Sequence, residues 1–216
     1  MGDAAFAVEI DEGSDTRKRL LDAAEGLFAE KGFESASLRE ITAAAEANIA
    51  AVNYHFGGRD NLIDAVMARY VIPVNQERIR LLDELLSRET PPSAREVVEA
   101  FLRPLENCIS EQESRQKLFA QFMGRMMMEE KKPLPDGLKE LFREMGAKVA
   151  AAFQMAVPSM TEEQAYSRLK FCFSVLAESL MRDEVFEQIS EGRLANWDRA
   201  RMFAEVLDFC EGGVTR

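Results

Sequence analysis

Histidine is almost absent from this chain: His55 is the single one among 216 residues. Without a second imidazole, the usual His-containing metal-ligand spacings cannot be assembled. Cysteine is scarce as well. Cys108, Cys172 and Cys210 are odd in number, far apart and outside any CxxC pattern, so buried, reduced thiols are expected, not a disulfide framework or a zinc site. No run of about 18 or more apolar residues exists for a transmembrane helix. Met1 to Thr16 is acidic and lacks the basic start and apolar stretch of a secretory signal, so a cytoplasmic location is expected. A Ser-His-Asp set and a glycine-rich phosphate loop are also missing, which argues against an enzyme, and no cofactor is expected. Positive charge is in the minority, 27 Lys and Arg against 38 Asp and Glu, for a net charge of -11. Composition alone therefore argues against a polyanionic partner. Residues 1–61 do not reverse this, with six basic residues against twelve acidic ones. The placement of charge is more telling: from Ala47 to Arg59 there is no acidic residue at all.

What the chain does have is helical patterning nearly throughout. Apolar residues recur at spacings of three and four, and no stretch alternates as a strand would. Four capping-box patterns mark helix starts, Ser37–Glu40, Ser93–Glu96, Ser110–Glu113 and Thr161–Gln164, each able to satisfy orphan backbone donors of a first turn. Breakers fall between the patterns at Gly32, Gly57-Gly58, Pro91-Pro92, Pro133 with Pro135, Pro158 and Gly192. Pro73 and Pro104 lie inside apolar-periodic stretches and should kink their helices. The spacing predicts an all-α protein of about nine helices. Residues 1–14 form an acidic arm, read as disordered; residues 15–61 form a small head and residues 62–216 a larger body.

In the head, the first helix presents Leu20, Leu21, Ala24, Leu27 and Phe28 on one face, and Gly32 supplies its left-handed stop. The second begins at the Ser37 cap, with Leu38 and Ile41 inward. The third begins at the Asn48 cap, with Ile49, Val52 and Phe56 inward. Two short helices joined by a tight turn make a helix-turn-helix, whose second member enters the major groove of DNA. On the outer face, Ala50 and Ala51 are small enough for close approach to base edges. Asn48 and Asn53 are amides suited to bases or phosphates. Tyr54, His55 and Arg59 suit the phosphate backbone, with Arg39 and the cluster Arg17, Lys18 and Arg19 at flanking positions.

The run from Arg19 to Phe28 (RLLDAAEGLF), then Lys31-Gly-Phe33, Ser37 to Ile41 (SLREI), and Val52 to Phe56 (VNYHF) with Arg59 and Leu62 resembles the head of the TetR/AcrR family over about 45 residues. The resemblance implies that Ser37, Arg39, Asn48, Ala50, Ala51, Asn53, Tyr54, His55 and Arg59 face DNA, and that a homodimer reads a palindromic operator as a ligand-responsive repressor. One position departs from the family: Glu46 stands in the turn where glycine is usual. A non-glycine residue at positive φ there costs about 1 kcal/mol; either the turn tolerates it or the two helices meet at an altered angle.

The body is less explicit. Its first helix, about residues 60–87, links it to the head. A Phe- and Met-rich stripe follows, from which Phe101, Leu105, Phe119, Phe122, Met123, Met126 and Phe142 are candidate lining for an apolar effector and Arg125 a candidate anchor for its acidic head group. The same residues also read as plain core. The stretch Ile72-Pro-Val-Asn75 with Arg78 to Leu86 resembles a branch of the family linked to fatty-acid or acyl-thioester sensing, which implies a lipid-like effector. Two C-terminal helices, about 161–183 and 196–210, carry wide apolar faces. Tyr166, Leu169, Phe173, Leu176 and Leu180, with Met202, Phe203 and Val206, are the candidate dimer interface, by resemblance a four-helix bundle. Two alternatives remain open: a helical adaptor whose head binds protein, and a repressor of efflux genes answering a different hydrophobic ligand.

Overall fold

The computed structural model describes residues 15–110, 136–180, 184–193 and 198–215. Nine helices and no strand lie among them: α1 Asp15–Lys31, α2 Leu38–Ala44, α3 Ile49–Phe56, α4 Arg59–Leu86, α5 Ala94–Ser110, α6 Asp136–Ala156, α7 Glu162–Leu180, α8 Glu184–Ile189 and α9 Arg199–Thr215. The all-α expectation holds. None of the described helices is long and apolar enough to cross a membrane.

Three of the four capping boxes form. Glu40 Oε2 accepts from the Ser37 backbone N–H at 2.9 Å while Ser37 Oγ accepts from the Glu40 N–H at 3.3 Å. Ser93 with Glu96 and Thr161 with Gln164 repeat the exchange. Ser110 instead closes α5, and Glu113 lies outside the described residues. The predicted C-terminal pair is also revised. The short helix α8 lies between the two long ones, and α9 runs on through Gly212 and Gly213 to Thr215. Burial of Cys210 and Val214 holds that last turn against the body, which offsets the glycines' low helix propensity.

Helices α1–α3 wrap a small apolar centre of Leu20, Leu21, Ala24, Phe28, Ile41 and Val52, all at most 1% exposed, with the Phe28 and Phe33 rings 5.1 Å apart. The first half of α4 closes this centre with Leu62, Ile63, Val66 and Met67. Polar ties reinforce the seam: Arg69 on α4 pairs with Asp22 at 2.6 Å and Glu25 at 3.1 Å on α1, and the Tyr70 hydroxyl donates to Glu25. The second half of α4 packs on α5 and α6, α6 on α7, and α9 on both α5 and α7. Arg95 of α5 reaches Asp208 and Glu211 of α9, each at 2.7 Å. Pro73 and Pro104 both sit within continuous helices, Pro73 on the exposed side and Pro104 buried.

Where α7 meets α9, the thiols of Cys172 and Cys210 meet. Their hydrogen bond, together with burial, pushes the Cys172 thiol up, and the same bond pulls Cys210 down. Sequence spacing gave no hint of this meeting, because the two cysteines are far apart along the chain.

Candidate nucleic-acid interface

The turn between α2 and α3 decides how the helix-turn-helix is set. Ala45 ends α2, Glu46 takes φ 50, and the chain closes with Glu46 N–H to Ala43 O at 3.2 Å and Ala47 N–H to Thr42 O at 2.9 Å. This is a Schellman closure with glutamate in the left-handed position that glycine normally fills. Of the two outcomes open in the sequence, the turn tolerates Glu46.

Asn48 then caps α3, its Oδ1 accepting from the Ala51 N–H at 2.9 Å. One face of α3 buries Val52 and Phe56; the other turns Ala50, Asn53 and Tyr54 outward. Tyr54 is 86% exposed, its ring edge-on to His55 at 4.9 Å. Ala51 and His55 are half-buried at the margin, and Asn48 and Arg39 are exposed nearby. Predicted as inward, Ile49 is instead 43% exposed. The first helical residue lies next to the outward-facing Asn48, so a period counted from Val52 assigns it to the wrong face.

Two predicted contact residues are given other work. Arg59 donates through Nη2 to the carbonyls of Phe33 and Ala36, the latter at 3.2 Å, and so ties down the α1–α2 connection. Ser37 has its hydroxyl engaged with Glu40, donating to Oε2 at 2.7 Å. Arg17 and Arg19 of the basic cluster likewise serve the fold. The Arg17 guanidinium lies over the Phe56 ring at 5.2 Å, and Arg19 Nε donates to Ala45 O at 3.0 Å, covering the end of α2. Glu40 also takes a hydrogen bond from Lys31 at 2.7 Å. That bond, and those from Ser37, hold its carboxyl at about 2, well below the ordinary value. The exposed face that remains is small, neutral and amide-bearing, with an aromatic hydroxyl at its edge.

Residues 20–66 match the family described as "Bacterial regulatory proteins, tetR family", and residues 99–213, just over half the chain, match "Tetracyclin repressor-like, C-terminal domain". The chain belongs to the TetR family. Among curated proteins, it is 33% identical over 55 residues to the probable HTH-type transcriptional regulator YttP of Bacillus subtilis, covering 26% of this chain and 27% of that protein. It is 38% identical over 69 residues to the HTH-type nicotine-responsive transcriptional repressor HdnoR of Paenarthrobacter nicotinovorans, covering 32% and 36%. The matched stretch thus spans about a third or less of these relatives. The fold as a whole is shared with solved structures. A TetR-family transcriptional regulator from Streptomyces coelicolor superposes with a TM-score of 0.63 at 18% identity, covering 93% of this chain and 94% of that one. FadR from Bacillus subtilis, in complex with stearoyl-CoA, superposes at 0.61 with 11% identity, covering 91% and 98%.

In the body of this TetR-family chain, the predicted effector residues are only partly brought together. Phe101 and Leu105 on α5 are 1% exposed and fully packed, and Phe142 on α6 is half-buried. Phe119, Phe122, Met123, Arg125 and Met126 lie outside the described residues. A groove of about 250 Å³ between α5 and α9 has Leu102, Phe203 and Leu207 in its lining and Arg95, Glu99 and Arg103 beside them; it includes none of the predicted lining.

The predicted dimer residues also divide. Leu176, Phe203 and Val206 are buried within the single chain, so they belong to its core. Tyr166 and Leu169 lie over Gly146 of α6, close enough to touch a Cβ there. Phe173 and Met202 are half-buried; Leu180 ends α7, its side chain outside the described set. Of the predicted residues Tyr166 stays 43% exposed; Phe209 on α9, 68% exposed, lies on the apolar face the sequence also marked, whereas Phe171 on α7, 55% exposed, was not singled out. Phe171 and Phe209 each directly precede one of the two touching cysteines.

Proposed function

We propose that the protein is a ligand-responsive repressor that binds a palindromic operator as a homodimer, with α3 in the major groove. The observation that carries this reading is the outward face of α3. It is free of acidic residues in a chain of net charge -11, and it is lined by the small residues Ala50 and Ala51. Small side chains let the helix axis approach the bases, and the Ala50 and Ile49 methyl groups suit thymine methyls. Asn53 and the Nδ2 of Asn48 supply hydrogen bonds to base edges. Tyr54, His55 and Arg39 hold the phosphates on either side and set the register. Arg59 and Ser37 support the face from behind.

A homodimer places two such faces on one duplex, and the half-site separation follows from the dimer geometry. Phe171 and Phe209 supply the apolar surface at the α7/α9 crossing, and a second copy of the same crossing covers it. The effector is a small apolar or amphipathic molecule, such as a fatty acid or an acyl thioester, that binds the body better in its DNA-incompetent form and lowers operator affinity by linkage.

The test is selection of operators from random-sequence DNA with the full-length protein, followed by fluorescence anisotropy on the selected duplex at two salt concentrations. Selective binding that weakens steeply with salt is expected. An enriched palindrome supports the dimer, as does a Phe209→Arg variant that elutes as a monomer. Failure to enrich any sequence, or affinity indifferent to salt, refutes the reading.

A further inference from the structure

The bases that α3 can read are limited by the side chains it carries and by which of their polar atoms are already engaged. From Asn48 to Phe56 there is no Lys, Arg, Asp or Glu. Lys and Arg are the side chains that pair with guanine O6 and N7, and Asp and Glu are those that accept from cytosine N4. The basic residues around the helix do not fill this gap. Arg17, Arg19 and Arg59 are held by the Phe56 ring and by backbone carbonyls of the head, and Lys31 pairs with Glu40. Lys18 and Arg39 are exposed on α1 and α2, outside the helix that enters the groove. His55 is half-buried at the margin, its ring edge-on to both Tyr54 and Phe56.

The two amides of α3 are not equivalent. Asn48 Oδ1 accepts from the Ala51 N–H at 2.9 Å to cap the helix, which leaves Nδ2 for DNA. A single donor is accepted by thymine O4, adenine N7 and the guanine edge alike, so Asn48 discriminates little. Asn53 is exposed, and its side chain has no hydrogen bond among the described residues. With both atoms available, its Oδ1 can accept from adenine N6 while Nδ2 donates to N7, a pairing that only adenine offers. Ile49 lies four residues earlier on the same face, about 6 Å along the axis, or roughly two base steps. It is an exposed aliphatic side chain in the first turn, with Ala50 exposed beside it. The apolar group that the major groove presents to such a side chain is the thymine methyl.

We propose that α3 reads A·T pairs, with Asn53 holding an adenine through both N6 and N7 and Ile49 packed on the methyl of a thymine about two base steps away. The proposal rests on the DNA-binding reading above and names the bases which that reading leaves open. Ile49 then acts as a specificity-determining residue, and the part of each half-site under α3 is A·T.

The experiment selects operators from random-sequence DNA with the full-length protein and, in parallel, with its Ile49→Ala and Asn53→Ala variants. Positions whose preference relaxes in a variant are those that the replaced residue reads. Both side chains are exposed, so both variants should melt as the wild type does. The expected positions are a thymine for Ile49 and an adenine for Asn53. Base analogues then test the wild-type protein directly. Each thymine of the half-site is replaced in turn by deoxyuridine, which removes only the methyl. One position should lose about four-fold in affinity, and Ile49→Ala should not distinguish the two duplexes there. Replacing the adenine by 7-deazaadenine removes the N7 acceptor and should cost about 2- to 10-fold in the wild type and nothing in Asn53→Ala. G·C pairs at the positions that the variants relax, no change of preference in either variant, or indifference to every deoxyuridine overturns the proposal and leaves the repressor reading in place. A wild-type protein that enriches no sequence overturns the DNA-binding reading itself, and this inference with it.

Discussion

Glu46 offers a direct measurement of what a non-glycine turn costs this head. Its φ of 50 brings the Cβ against the following carbonyl, a strain of about 1–2 kcal/mol for an L-residue. The Schellman hydrogen bonds at 2.9 and 3.2 Å show that the turn keeps its geometry and bears that strain. Glu46→Gly removes it. Part of the gain is offset because glycine gives the unfolded chain more freedom to lose, which leaves a net stabilisation of about 1 kcal/mol, or roughly 2–4 °C in melting temperature for a chain of this size. Glu46→Gln separates the two properties of the residue, since it keeps the strained backbone and discards the charge. Amide hydrogen exchange in α1 and α3 under urea reports the head directly. The expected order is glycine above wild type, with glutamine equal to wild type. If glutamine stabilises as much as glycine, repulsion among acidic residues and not backbone strain is the cause. If neither stabilises, the left-handed position carries no penalty, and the reasoning fails. Both variants discard one negative charge beside α3, so both should raise affinity for non-specific DNA by the same factor.

Arg59→Ala leaves the Phe33 and Ala36 carbonyls without their charged donor and should lower head stability by about 2 kcal/mol, read as a shift in urea midpoint; unchanged stability with weaker DNA binding would return Arg59 to the phosphate contacts. Tyr54→Ala, at a side chain 86% exposed, should leave stability unchanged while weakening binding to operator and non-operator DNA alike, whereas Asn53→Ala should alter which operators are preferred in a competition assay. Glu40 is held at about 2, below its ordinary 4.5, first by its hydrogen bond from Lys31 and then by those from Ser37. A folded pKa below the unfolded one gives stabilisation that is complete above 4.5 and lost as pH falls toward 2. Glu40→Gln should therefore show less acid destabilisation of the head across that window than the wild type, and parallel acid titrations of the two would contradict it.

Short-range chemistry made the head legible in the sequence. The capping pairs Ser37–Glu40 and Ser93–Glu96, the Gly57 stop at φ 75 and the burial of Leu20, Leu21 and Phe28 all follow from residues within one or two turns of each other. What escaped depends on partners distant in sequence. Nothing near Arg59 announces that its fork reaches back to Phe33 and Ala36, and nothing near Arg19 announces Ala45. Basic residues at the edge of a helix-turn-helix look alike whether they hold phosphates or carbonyls. The predicted dimer residues divide for a related reason. Helical periodicity identifies apolar faces, but α7 and α9 have two neighbours each within the chain, and a wide stripe does not say which part is covered at home. Leu176 and Phe203 are covered; Phe171 and Phe209 are not.

Helix α4 packs on α1 and α3 towards its start and on α5 and α6 towards its end. On the head side of Pro73, Arg69 and Tyr70 grip α1 through Asp22 and Glu25, and Leu62 and Val66 fill the head core. On the body side, Arg78 reaches α5, and Asp83 pairs with Lys148 of α6. Pro73 has no N–H for the Arg69 carbonyl, so the backbone ladder is interrupted at the residue that clamps the head.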